Sequence, residues 1–159
     1  MVPEPIRRFT KLFASLPSIG PRQATRLAFH IAGKGKAEIR EFAETLAGLG
    51  DLRSCADCFA RYTMNESRNE KSNLCSICAA PERTHNVVAV VERETDRIAM
   101  ETTGKFRGRY LVIGEFGRSS VLSPDQKLRI EHLKAGIAKR SGKAEEIILA
   151  LSPSSVGDL

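Results

Sequence analysis

The first fifty residues repeat apolar positions at helical spacing. Ile6, Phe9, Leu12, Phe13 and Leu16 lie three and four apart, which places them on one face of a helix. Leu16-Pro17 ends that run, because a residue before proline is pushed out of the α region. Ser18-Ile19-Gly20-Pro21 reads as a tight turn, and Pro21 suits the first position of a second helix. Ala24, Leu27, Ala28 and Ile31 form the stripe of that helix until Gly33 and Gly35 break it. A third helix is predicted over about 36–49, with Ile39, Phe42, Ala43, Leu46 and Leu49 inward and Glu38, Arg40, Glu41 and Glu44 outward.

Over 55–80 the period disappears. This stretch holds all four cysteines of the chain and is otherwise rich in polar residues such as Asn65, Ser67, Asn69, Ser72 and Asn73. It has little apolar surface to bury, so something other than a hydrophobic core must hold it. From 81 onward the pattern becomes α/β. Asn86–Val91, Arg109–Ile113 and Glu146–Leu151 read as strands, the first and last as buried ones. Ser123-Pro124-Asp125 opens a helix that Leu128, Ile130, Leu133, Ile137 and Ala138 continue. Strand, helix, strand implies a parallel crossover. The three segments predict an α+β chain of several modules, divided at 1–53, 54–80 and 81–159.

Charge and composition narrow the function classes. The chain carries 25 Lys and Arg against 19 Asp and Glu, a net charge of +6, and most of the excess lies in residues 1–54, which hold nine basic and five acidic side chains. A balance this basic points to an anionic partner, nucleic acid most simply. The longest apolar runs, Val87–Val91 and Ile147–Leu151, are five residues each. A membrane span needs about 20, so no membrane association is expected. The N-terminus shows no secretory pattern, which implies a cytoplasmic, reducing setting. There, cysteines serve as metal ligands more often than as disulfides.

Cys55-x2-Cys58 and Cys75-x2-Cys78 are separated by sixteen residues. Each CxxC turn can present two thiolates, and two turns complete a tetrahedron around one Zn²⁺. Four cysteines leave no open position for water, so such a zinc is structural rather than catalytic. Buried thiol pairs and a redox CxxC are the alternatives. A redox motif needs only one pair, set at the start of a helix that follows a strand.

Leu16-Pro17-Ser18-Ile19-Gly20-Pro21 has the form of a helix-hairpin-helix turn. Gly20 lets a backbone approach closely, free N–H groups at the start of the second helix can receive a phosphate oxygen, and Ile19 in the same turn counts with Gly20 among the candidate DNA contacts. Arg22 and Arg26, four apart on one face, would flank the same phosphate run without reading sequence. A plain helical hairpin with solvated arginines is the competing reading. His30 reads as an ordinary helix residue.

Taken in order, the pieces resemble the RecR family of bacterial recombination mediators. The matching stretches are Leu-Pro-Ser-Ile-Gly-Pro-Arg-Gln-Ala-Thr-Arg-Leu-Ala-Phe-His (16–30), the four cysteines, Val-Val-Glu-Arg-Glu-Thr-Asp (90–96), Leu-Ser-Pro (122–124) and Ile-Ile-Leu-Ala (147–150). The resemblance implies a helix-hairpin-helix, a four-cysteine zinc finger and an incomplete Toprim-like α/β domain. It implies a homodimer or homotetramer that acts on DNA with RecO and RecF to load recombinase onto gapped DNA, nucleoid-associated in the cytoplasm. It assigns DNA contact to Arg22 and Arg26 and one structural Zn²⁺ to Cys55, Cys58, Cys75 and Cys78.

Some positions depart from the family. The gap between the cysteine pairs is longer, which implies a longer finger tip around 61–71. Ile-Gly-Glu-Phe-Gly-Arg-Ser-Ser (113–120) stands where paired glycines are usual. Catalytic Toprim enzymes carry Asp at the positions of Ser152 and Ser154 and Glu at those of Val156 and Asp158. Two hydroxyls cannot hold Mg²⁺ as two carboxylates would, which leaves Glu92 alone and implies no enzymatic activity. Val156 also takes a charge off the surface that the family presents to RecO. The chain ends soon after the last strand, so the resemblance implies a C-terminally short member whose sheet edge is open to another chain. Two other functions compete: a zinc-containing protein-interaction module without a DNA role, and a Toprim metal-dependent nuclease with Glu92 as a ligand.

Overall fold

A computed structural model describes residues 2–66, 73–117, 121–139 and 145–152, with the side chains of Glu66, Ala138 and Lys139 excepted. The chain forms two compact units, Met1–Asp51 and Leu52–Leu159.

The first unit contains helices α1 (Glu4–Phe13), α2 (Pro21–Ala32) and α3 (Lys36–Gly48). Proline fixes the start of α1 and α2, where a missing N–H costs nothing. The turn between them is closed by Leu16 N–H to Phe13 O and by Ile19 N–H to Leu16 O, and it brings α2 back along α1. Ile6, Ala24 and Ala28 are buried between the two helices, and Thr10 Oγ1 meets Thr25 Oγ1 at 3.3 Å. The left-handed residue of the turn is Ser18 (φ 63°), while Gly20 is extended (φ −80°).

Helix α3 forms where the period predicts it, but its stripe does not point inward. Ile39, Phe42, Leu46 and Leu49 are 38%, 46%, 53% and 61% exposed. Amphipathic spacing says that a face is to be covered, not by what, and no described part of this unit buries it.

The second unit is built on a parallel sheet of order β4-β3-β5, with β3 (Val87–Val91) central between β4 (Arg109–Val112) and β5 (Glu146–Ala150). A short antiparallel ribbon, β1 (Arg53–Ser54) with β2 (Arg61–Tyr62), precedes it. Helix α4 (Glu94–Thr102) follows β3 and α5 (Pro124–Lys139) follows β4. The hydrophobic pattern gives no sign of α4, whose Ile98 is exposed. Its start is fixed by polar chemistry instead, with Arg93 N–H donating to Asp96 Oδ2 at 2.9 Å. Ser123 caps α5, its Oγ accepting from Gln126 N–H and its N–H donating to Gln126 Oε1.

Alternation along the strands divides the core in two. Ala89, Val91, Tyr110 and Val112 face the cysteine segment, with Ile148, Ala150 and Met100 packed alongside. Val88, Val90, Leu111 and Ile113 face the other way, against Phe59, Phe116, Ile130 and Leu133. Strand β3 is thus enclosed on both faces, as its unbroken apolar run requires. Strand β5 differs from the expectation of a buried strand. Ile147 and Leu149 pair with Val88 and Val90, yet they are 46% and 69% exposed, because the helical cover ends over β3 and β4. One glycine is compelled by close approach: a Cβ on Gly108 would lie 2.6 Å from Val87 O, where β4 begins.

Candidate metal centre and nucleic-acid interface

The four cysteines converge. All four Sγ atoms lie within 4.8 Å of one another, and each side chain is buried. Each CxxC turn is closed the same way, by Phe59 N–H to Cys55 O and by Ala79 N–H to Cys75 O, both at 3.0 Å. Cys75 N–H donates to Cys55 Sγ at 3.3 Å, which favours a thiolate there. Hydrogen bonds from Cys58, Cys75 and Cys78 hold the Cys55 thiol strongly down. The thiols of Cys58 and Cys78 are pushed up, first by their contact with Cys55. Four sulfurs this close cannot all ionise against one another, and a divalent cation at their centre removes the conflict. The arrangement can hold one metal ion.

The metal turns are also fastened to the sheet, in a way that sequence reasoning missed. Val112 N–H, on the outer edge of β4, donates to Cys58 O at 2.9 Å. Asp57, inside the first CxxC turn, accepts from Arg109 at 2.6 Å, and His132 of α5 lies 3.8 Å from its other oxygen. Phe59, at φ 62°, stands edge-on to the His132 ring at 5.2 Å, with the Arg129 guanidinium 5.2 Å from its ring centre. On the second turn's side, Arg83 bonds Glu101, Phe106 O and Gly108 O, and Tyr110 donates to Glu101 at 2.8 Å. Asp57 and Arg109 are 52 positions apart, so local pattern carries no signal for their pairing.

On the hairpin, Arg22 and Arg26 are exposed one turn apart on α2, and among the described residues neither has a carboxylate partner. No side chain caps the start of α2. A Cβ on Gly20 would meet nothing within 4 Å, so the space in front of this turn is open. Ile19 is half-buried, and its N–H is already committed to Leu16 O. It shapes the turn.

Glu92 directly follows β3 and meets Ser152, just past β5, at the C-terminal end of the sheet. Its carboxylate accepts from Phe116 N–H and Ser152 N–H, each at 3.4 Å, and from the Ser152 hydroxyl. Burial works against the charge, but these bonds and the nearby Arg93 outweigh it and hold the carboxyl below its ordinary value. Arg93 lies 3.9 Å from Glu92 and 2.9 Å from Glu115. Among the described residues, this corner does not present a set of ligands suited to a divalent cation. The carboxylate is already taken by N–H and O–H donors, its strand-end partner is a hydroxyl, and a guanidinium already provides positive charge. Ser154, Val156, Asp158, residues 118–120 and much of the finger tip lie outside the described residues.

Comparison with known proteins agrees with these parts. Residues 6–49 match a family described as RecR, helix-hairpin-helix, and residues 86–159 match one described as Toprim domain. Recombination protein RecR of Maricaulis maris is 38% identical over 156 residues, covering 96% of this chain and 71% of the relative. The protein of the same name from an Anaeromyxobacter species is 36% identical over 159 residues, covering 99% and 75%. That from a strain of Thermus thermophilus is 34% identical over 157 residues, covering 98% and 74%. Relatives 34–38% identical over nearly the whole chain, together with a RecR helix-hairpin-helix match followed by a Toprim match, show that the chain belongs to the RecR family of recombination proteins.

Proposed function

We propose that this chain is a non-enzymatic, DNA-binding recombination mediator, which acts in DNA repair by helping to load recombinase onto gapped DNA. The observation that carries this is the surface of α2. Arg22 and Arg26 stand exposed beside an open turn and an uncapped helix start, a disposition suited to phosphate and indifferent to base sequence. Replacing both with Ala is expected to weaken binding to two unrelated DNA sequences by the same factor. The slope of log K against log salt should become shallower by about 1.8, two contacts at about 0.9 each. Unchanged affinity would remove the site.

The cysteine cluster is read as one structural Zn²⁺. Bonds of about 2.3 Å in a tetrahedron set sulfurs about 3.8 Å apart, close to the 3.7 Å between Cys58 and Cys75. In this reading 1–53 meets DNA, 54–80 is organised by metal, and 81–159 offers surfaces for assembly and for partners of the RecO and RecF kind. The exposed stripe of α3 and the exposed Ile147 and Leu149 of β5 favour a homodimer or homotetramer, since both present apolar groups that a second copy can cover. The engaged carboxylate of Glu92 is the reason for reading the Toprim domain as an adaptor without cleavage chemistry. A cytoplasmic, nucleoid-associated setting fits reduced thiols and a DNA partner. No described helix is long and apolar enough to cross a membrane.

A further inference from the structure

Helix α1 carries cations of its own, and their placement repeats that of α2. Thr10 and Thr25 face each other across the hairpin. Arg7 and Lys11 stand three before and one after Thr10, while Arg22 and Arg26 stand three before and one after Thr25. At 3.6 residues per turn, those offsets rotate each pair about 60° and 100° from the facing threonine in the same sense. When two right-handed helices run in opposite directions, the same sense of rotation leads to the same flank. Four cations from two helices therefore share one side of the hairpin.

The acidic residues leave that side unopposed. Helix α2 contains no Asp or Glu, and α1 contains only Glu4. Glu4 is engaged by Arg8 at 3.6 Å, and Lys34, beyond α2, is engaged by Glu38 at 3.6 Å. Among the described residues, Arg7, Lys11, Arg22 and Arg26 have no carboxylate partner, and all four are exposed. The hairpin segregates its cations into a neutralised set and a free set, and the free set is the one on a single flank.

We infer that Arg7 and Lys11 form a second row of phosphate contacts, and that this flank takes the two backbones of duplex DNA. The inference rests on the reading of Arg22 and Arg26 given above. Within each row the cations rise about 6 Å along the helix, close to two nucleotide steps of about 3.4 Å. Between rows the axes of packed helices lie about 8–10 Å apart. Two parallel rows at that separation suit two backbones bordering a groove about 6 Å wide, whereas a single strand offers only one line of charge.

The test uses the full chain and a 20-base-pair duplex of arbitrary sequence, with Kd measured over a range of salt for wild type, R7A/K11A, R22A/R26A and R8A/K34A. R7A/K11A should make the salt slope shallower by about 1.8, as R22A/R26A does. R8A/K34A removes the same charge from ion-paired positions and should leave the slope near wild type. All the substituted α1 positions are solvent-exposed, so helix content should be retained, as circular dichroism would verify. A wild-type slope in R7A/K11A beside a reduced one in R22A/R26A overturns the second row alone. Unchanged slopes in both overturn the hairpin interface altogether. Equal losses for R7A/K11A on duplex and on one of its strands alone would overturn the assignment to two backbones.

Discussion

Glu92 and Glu101 keep ionised carboxylates in places where burial opposes the charge. At Glu101 the opposition is overcome by Arg83 and by the hydroxyl of Tyr110, and at Glu92 by Ser152, Phe116 N–H and Arg93. Both folded values therefore lie below the ordinary carboxyl value of 4.5. A group depressed on folding contributes stability above its unfolded value and loses it as pH falls through the folded one. Denaturant midpoints should be insensitive to these two groups near neutral pH and should fall on acidification below about 4.5. In E92Q/E101Q the midpoint at neutral pH should be lower and the acid-induced loss smaller. Parallel pH curves for variant and wild type would show that neither carboxylate is held as described. The family resemblance of residues 90–96 gives Glu92 its Toprim position, but its engagement depends on Ser152, which only the sheet brings near.

Elements differ in how much of their structure local pattern carries. Helices α1 and α2 are legible because proline, glycine and a three-four stripe agree, and the strands because β-branched runs are hard to place otherwise. Helix α4 is not, since polar capping fixes it and its exposed Ile98 breaks the expected stripe. The inward orientation expected of α3 fails for the opposite reason: a clear stripe meets no partner among the described residues of its own unit. For the cysteine segment, spacing identifies the ligand set, yet its attachment to β4 through Cys58 O and through Asp57–Arg109 lies beyond any local signal. That attachment places the four thiols in the same buried cluster as Val91, Tyr110 and Val112. Removing the metal should therefore loosen the sheet as well as the finger. The purified chain should contain one zinc per chain. Chelation or Cys75→Ser should lower the unfolding temperature markedly, because a structural zinc contributes on the order of 10 kcal/mol. An unfolding transition unmoved by complete zinc removal would show that packing alone holds the segment.

At the scale of the molecule, the two units differ in what they expose. The hairpin offers cations without acidic neighbours, and the larger unit offers apolar groups on β5 beside a sheet corner whose carboxylate is already engaged. The function proposed for such a chain is to hold DNA and other proteins together and to leave the DNA intact. The most direct measurement is the mass in solution of the full chain, alone and with a gapped duplex, at low salt in Mg²⁺. The expected result is an oligomer of the free chain that joins the DNA in a complex, with the recovered strands at full length. Free chain and free DNA side by side, or strands shortened in a manner that Glu92→Gln abolishes, would contradict it.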